Sequence, residues 1–125
     1  MNSLPEAHAT LRIVARPCDV NAAGDIFGGW LISQADIAGS TVAVRHTKGR
    51  VVTVAVEQFH FIKPVLVGDI VSIYSDIKAI GKSSITVAMS IYIERKPMQD
   101  VIVEKVAQGQ FIFVHLDDQG KPCAI

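Results

Sequence analysis

The stretch Asn21–Ser40, NAAGDIFGGWLISQADIAGS, sets a glycine-rich turn directly before a strongly apolar segment that carries one carboxylate, Asp36. Helical character is expected to begin at Gly28 or Gly29 and to continue to Arg45 or His46, about 17 residues and roughly 25 Å. The apolar residues Trp30, Leu31, Ile32, Ala35, Ile37, Ala38, Val42, Ala43 and Val44 fall on nearly every side of it, the pattern of a helix buried on most faces. Something must wrap around such a helix.

The flanking sequence supplies the wrapper. Ala9–Ala15 reads as a short strand that ends before Pro17. Downstream, β-branched residues broken by turn signals indicate four more strands. These are Arg50–Lys63, stopped by Pro64; Asp69–Ile80, stopped at Gly81; Ser84–Glu94; and Val101–Leu116. Ser84–Glu94 alternates cleanly, with Ile85, Val87, Met89, Ile91 and Ile93 on one face, so it is half buried. One strand, a long helix and four strands joined by short turns give an α+β class: an antiparallel sheet of about five strands curled around one central helix. This is the outline of a hotdog fold. The length of 125 residues suits a single domain, residues 1–125. A sheet of this kind keeps edge strands and one outer face, so pairing with a second copy is expected.

Composition narrows the function. Twelve basic residues balance twelve acidic ones, with no basic block to follow a nucleic-acid backbone. No apolar run approaches the roughly 20 residues that span a bilayer. Met1–His8 lacks the basic and apolar regions of a secretory signal, so the cytoplasm is the expected location. Cys18 and Cys123 stand outside any CxxC spacing, and His8, His46, His60 and His115 are scattered without an HExxH pattern, so no metal is expected. A GxSxG nucleophile elbow is missing as well. Gly81, Lys82, Ser83 and Ser84 echo a P-loop, but that motif needs glycine where Asp76 stands and a helix where a strand follows.

Chemistry concentrates in the opening stretch. Gly24, Gly28 and Gly29 fit a turn and helix start that need small residues, and the same glycines leave backbone N–H groups open to a carbonyl or an anion. Asn21 suits an Asx-turn, and its amide suits a water or an oxyanion. Asp36 lies about two turns into the helix, roughly 10 Å along the axis from Gly29. Either it is a structural carboxylate, bonded to a neighbouring strand or sitting on an exposed strip of helix, or a paired subunit brings its own Asp36 to the first subunit's helix start. Asp19 and Asp25 read as turn or cap residues. Arg45, His46, Lys48 and Arg50 complement the negative end of the helix dipole, with contacts to ligand phosphates as the alternative.

Pro17–Gly39 (PCDVNAAGDIFGGWLISQADIAG), Arg50–Asp69 (RVVTVAVEQFHFIKPVLVGD) and Gly81–Ile85 (GKSSI) together closely resemble the bacterial YciA-type acyl-CoA thioesterases of the hotdog superfamily. The resemblance spans nearly the whole chain. It rests most on Asn-x-x-Gly-x-x-x-Gly-Gly followed by an aspartate in the helix. It implies hydrolysis of acyl-CoA to a free acid and CoA, with no cofactor beyond the CoA of substrate and product. It further implies that Asn21 and Asp36 act from opposite subunits of a dimer, Gly28 or Gly29 polarising the carbonyl, and that three dimers form a hexamer. Arg50, Lys63, Lys82 and Ser83 are the candidate contacts for the CoA nucleotide. A non-catalytic acyl- or CoA-binding module is the alternative, and the presence of both Asn21 and Asp36 argues against it.

Overall fold

The computed structural model describes residues 3–96 and 98–125. Strand β1 (Leu11–Val14) leads through a 3-10 turn (Pro17–Asp19) and a glycine loop to helix α1 (Gly28–Thr47), and strands β2 (Arg50–Phe61), β3 (Ile70–Ile80), β4 (Ser84–Arg95) and β5 (Ile102–Leu116) follow. They form one five-stranded sheet in the order β1-β3-β4-β5-β2, with every pairing antiparallel. The expected architecture is present, and the five strands lie close to their expected bounds.

The small shifts at strand ends have local causes. Strand β1 stops at Val14 because Ala15 turns to bond the β2–β3 connection, its N–H donating to Asp69 O and its carbonyl accepting from Gly68. Strand β2 stops at Phe61 because Ile62 and Lys63 both donate to the carbonyl of Val106. Helix α1 ends at Lys48, which adopts the left-handed conformation at φ 59 and donates its N–H to Val44 O.

The core lies between α1 and the inner face of the sheet. Ile85, Val87, Met89, Ile91 and Ile93 of β4 are all buried there with Phe111 and Phe113 of β5 and Val71 and Ile73 of β3. The helix meets them through Leu31, Ala35, Ala38, Gly39 and Ala43. Small residues let it come close: a Cβ on Gly39 would stand 3.0 Å from the Phe113 ring.

The expectation of a helix buried on most faces holds only for this stripe in the single chain. Ile37 and Val44 are 49% and 44% exposed, because a single sheet covers one side of a cylinder. Strand β2 is an edge of the sheet, and its Val52, Val54 and Val56 are exposed too. No helix among the described residues is long and apolar enough to cross a membrane.

Candidate active site

The loop between β1 and α1 is held by the polar contacts of two side chains, one a carboxylate and one an amide. Asp19 is 7% exposed, and its carboxylate accepts from the backbone N–H and the guanidinium of Arg16, while its carbonyl accepts from Phe27. The Arg16 hydrogen bond outweighs the cost of burial and holds the Asp19 carboxyl below the ordinary carboxylate range. Asn21 closes the next turn: its Oδ1 accepts from Ala23 at 2.9 Å and Asp25 at 3.1 Å, and Gly24 supplies the φ of +92° the turn requires. The amide orientation is set by those two donors, so Nδ2 is the free end, with no hydrogen-bond partner among the described residues.

The helix starts without a side-chain cap. Trp30 and Leu31 donate to the carbonyl of Phe27, which leaves the N–H groups of Gly28 and Gly29 as the orphan donors of the first turn. Gly28, Asn21 and Asp25 border a cavity of about 330 Å³ whose remaining wall is Ile26, Leu31, Phe61 to Lys63, Pro64 and Val65. A Cβ on Gly29 would meet nothing within 4 Å. Exposed N–H donors, a positive helix end and an apolar floor suit a polarised carbonyl carrying an apolar group.

Asp36 does not line this cavity. It stands eight residues beyond Gly28, roughly 12 Å along the axis, and its Oδ1 accepts the hydroxyl of Thr53 on β2 at 2.5 Å. The bond to a neighbouring strand that the residues suggested is therefore present, and the fold of one chain keeps Asp36 apart from Asn21 and Gly28.

The cationic candidates divide between the two ends of the sheet. Lys63 borders the cavity and pairs with Glu104 at 3.1 Å. Arg50 is opposite Leu116, and Lys82 and Ser83 accept from Ile125 and His115 through their carbonyls, so these three gather at the other end, roughly 35 Å away along β2. Arg50 there borders a second cavity of about 450 Å³ with Lys48, His115 and Cys123. No group of three His, Cys, Asp or Glu side chains among the described residues is placed to hold a metal.

Several residues that shape the cavity or hold the candidate side chains escaped the sequence reading. Thr53 and Phe61 looked like ordinary strand residues, and Asp69 marked only a strand start. Asp69 is 1% exposed and binds Arg95 at 2.9 and 2.8 Å and the Leu66 N–H at 2.9 Å. It thereby fixes the turn carrying Pro64 and Val65, and the Val65 carbonyl accepts from Ile26 just ahead of α1. The one available signal was the turn chemistry of Pro64 and Gly68 before a carboxylate.

A five-stranded antiparallel sheet holding one long helix, whose glycine start opens on an apolar cavity, defines a hotdog protein. The model of the thioesterase superfamily matches residues 23–97. The chain is 41% identical over 123 residues to the acyl-CoA thioester hydrolase YciA of Salmonella typhimurium, covering 98% of this chain and 92% of that one. Among solved structures it resembles a hexameric thioesterase from Yersinia pestis, with 43% identity, a TM-score of 0.88 and 98% of each chain covered. It also resembles a hexameric hotdog fold thioesterase of Campylobacter jejuni, with 36% identity, a TM-score of 0.90, and 95% of this chain and 90% of that one covered. The chain belongs to the thioesterase superfamily, among its YciA-type members.

Proposed function

We propose that this chain hydrolyses acyl-CoA thioesters to a free carboxylic acid and CoA, at a site shared by two subunits. The observation that carries the reading is the uncapped start of α1, where Gly28 and Gly29 present N–H donors beside Asn21 and an apolar cavity. The identity to an acyl-CoA thioester hydrolase over nearly the whole chain supports the substrate class.

The thioester carbonyl oxygen takes the N–H groups at the helix start, which favour the charge that develops in the tetrahedral intermediate. Asn21 Nδ2 adds a donor to that oxygen or orients the attacking water. Asp36 from a second subunit faces the carbonyl carbon, as general base towards water or as nucleophile forming an anhydride. Collapse of the intermediate expels the CoA thiolate, a leaving group good enough that no strong general acid is required. The reaction needs no cofactor and no metal, and CoA enters and leaves as part of substrate and product. Lys63 meets the CoA phosphates at the cavity mouth; Arg50, Lys82 and Ser83 meet them from a neighbouring subunit.

The exposed Ile37 and Val44 of α1 and the apolar residues of edge strand β2 supply the dimer face. Three such dimers form a hexamer, the state of both thioesterase structures compared above. The chain works as one hotdog domain in the cytoplasm.

The test is release of free CoA thiol from acyl-CoAs of graded length, beside Asp36→Asn and Asn21→Ala proteins. Turnover by the unmodified protein, lost by orders of magnitude in Asp36→Asn with the fold kept, is the expected result. Wild-type turnover in Asp36→Asn overturns the site, and tight binding without turnover in the unmodified protein makes the chain an acyl- or CoA-binding module.

A further inference from the structure

We infer that Phe61 sets which acyl groups this site accepts, by limiting bulk on the carbon next to the thioester carbonyl; the inference rests on the thioesterase reading above. The ring occupies the space that a side chain at position 28 would fill: a Cβ on Gly28 would meet Phe61 Cζ at 3.0 Å, Cε1 at 3.3 Å and Cε2 at 3.6 Å. Gly28 N–H is one of the two orphan donors that receive the carbonyl. A group bound to that carbonyl therefore passes within about one atomic layer of the Phe61 ring.

The ring is half exposed, at 51%, and it borders the cavity with Leu31, Ile26 and Val65. These residues with Ile62 and Pro64 make the hydrocarbon part of the lining, whereas Asn21, Asp25 and Lys63 supply its polar groups. An acyl chain has no polar atoms beyond its carbonyl, and pantetheine has amides that need partners. The acyl group accordingly packs against the hydrocarbon residues of the lining, Phe61 among them.

The position of the ring is imposed by the strand beneath it. The β2–β5 register slips between Glu57 and His60, and Gln58 takes a φ of +49°. This bulge turns Phe59 onto Gly109, where a Cβ would stand 2.5 Å from the Phe59 ring. Phe59 packs edge-on against Phe111 at 6.1 Å and holds Phe61 at 5.2 Å. Phe111 is fully buried, so Phe61 is backed by a chain of rings anchored in the core. A wall supported in this way rejects a branched carbon instead of yielding to it.

The experiment compares butyryl-CoA with isobutyryl-CoA, which have the same carbon count and differ only in branching beside the carbonyl. The ratio of their kcat/KM values is measured for the unmodified protein, Phe61→Leu and Phe61→Trp, with the assembly state of each followed by size-exclusion chromatography with light scattering. Phe61→Leu shifts the ratio towards the branched ester by about tenfold, the scale of one methyl group in an apolar pocket, and Phe61→Trp shifts it the other way. A ratio unchanged in both variants, with turnover retained, overturns the role of Phe61 and leaves the thioesterase reading standing. So does a shift that appears only where the assembly dissociates, which assigns Phe61 to an intersubunit contact. No turnover of any acyl-CoA by the unmodified protein overturns both.

Discussion

Thr53 on β2 donates its hydroxyl hydrogen to Asp36 Oδ1 on α1 across 2.5 Å, which engages one carboxylate oxygen and leaves Oδ2 without a hydrogen bond among the described residues. A single bond between strand and helix thus fixes the direction in which the proposed catalytic carboxylate points. Thr53→Val keeps the shape of the side chain and removes the donor, so kcat is expected to fall by roughly 10- to 100-fold with little change in KM, the cost of a misdirected catalytic group. Thr53→Ser restores the donor and most of the rate. Steady-state kinetics on one acyl-CoA decides it, and equal rates in all three proteins count against a positioning role.

Of the routes open to Asp36, only nucleophilic attack can place water oxygen on the carboxylate itself. A single turnover with enzyme in excess, run in ¹⁸O-water, labels only the product acid if water attacks the thioester directly. Attack by Asp36 with hydrolysis of the anhydride at the aspartyl carbonyl leaves the label on Asp36, and mass spectrometry of the peptide containing it reads the difference.

Gly28 and Gly39 offer a comparison within one helix, because a Cβ on either would stand 3.0 Å from a phenylalanine ring atom. Phe113, facing Gly39, is fully buried and cannot give way; Phe61, facing Gly28, is backed by Phe59 but half exposed, and its open side is the cavity. Gly39→Ala is expected to lower stability by about 1 kcal/mol, overpacking outweighing the gain in helix propensity. Gly28→Ala keeps its Tm and loses kcat/KM as the ring is pushed into the cavity. Gly29→Ala, facing open space, gains about 0.5 kcal/mol. Thermal melts and kinetics on the three proteins separate these outcomes.

Much of this architecture is written locally in the chain, and what is not depends on partners distant in sequence. The alternation from Ile85 to Ile93 announces a half-buried strand because a period of two needs no outside information. The glycines at 28 and 29 and the turn at Gly81 punctuate the chain in the same way. The Thr53 bond to Asp36 spans 17 residues and the Arg95 bond to Asp69 spans 26, and neither leaves a local mark. The bulge at Gln58 is equally silent, since nothing in Glu57–His60 departs from strand composition. Ile37 and Val44 read as buried for an opposite reason: their hydrophobicity is plain, but the chain's own sheet leaves them exposed. Asn21 and Gly28 were legible because a turn and a helix start have recognisable chemistry of their own.

Arg95 and Asp69 form the most buried ion pair among the described residues, with side chains 24% and 1% exposed. Removing one partner leaves the other charge uncompensated, so Arg95→Met is expected to cost about 3 kcal/mol. Because Asp69 also fixes the turn carrying Val65, the loss should be accompanied by a rise in KM. Urea denaturation gives the first number and kinetics the second; a variant of wild-type stability would show the pair to be dispensable.

Asp19 and Arg16 tie the loop to acidity. The Arg16 hydrogen bond lowers the folded-state pKa of Asp19, and the same contact raises that of Arg16, which stays charged throughout the range where Asp19 titrates. A depressed carboxylate pKa stabilises the fold above the unfolded value, about 4, and that contribution is lost as pH falls through the lower folded-state value. Asp19→Asn keeps the side-chain shape and cannot ionise. The Tm of the unmodified protein should therefore exceed that of Asp19→Asn at neutral pH, by an amount that is constant down to about pH 4 and closes below it. A gap that is unchanged across the acid range would mean that Asp19 stabilises the loop by packing and neutral hydrogen bonds instead of by its charge. A gap that closes well above that point would assign the acid sensitivity to a different group.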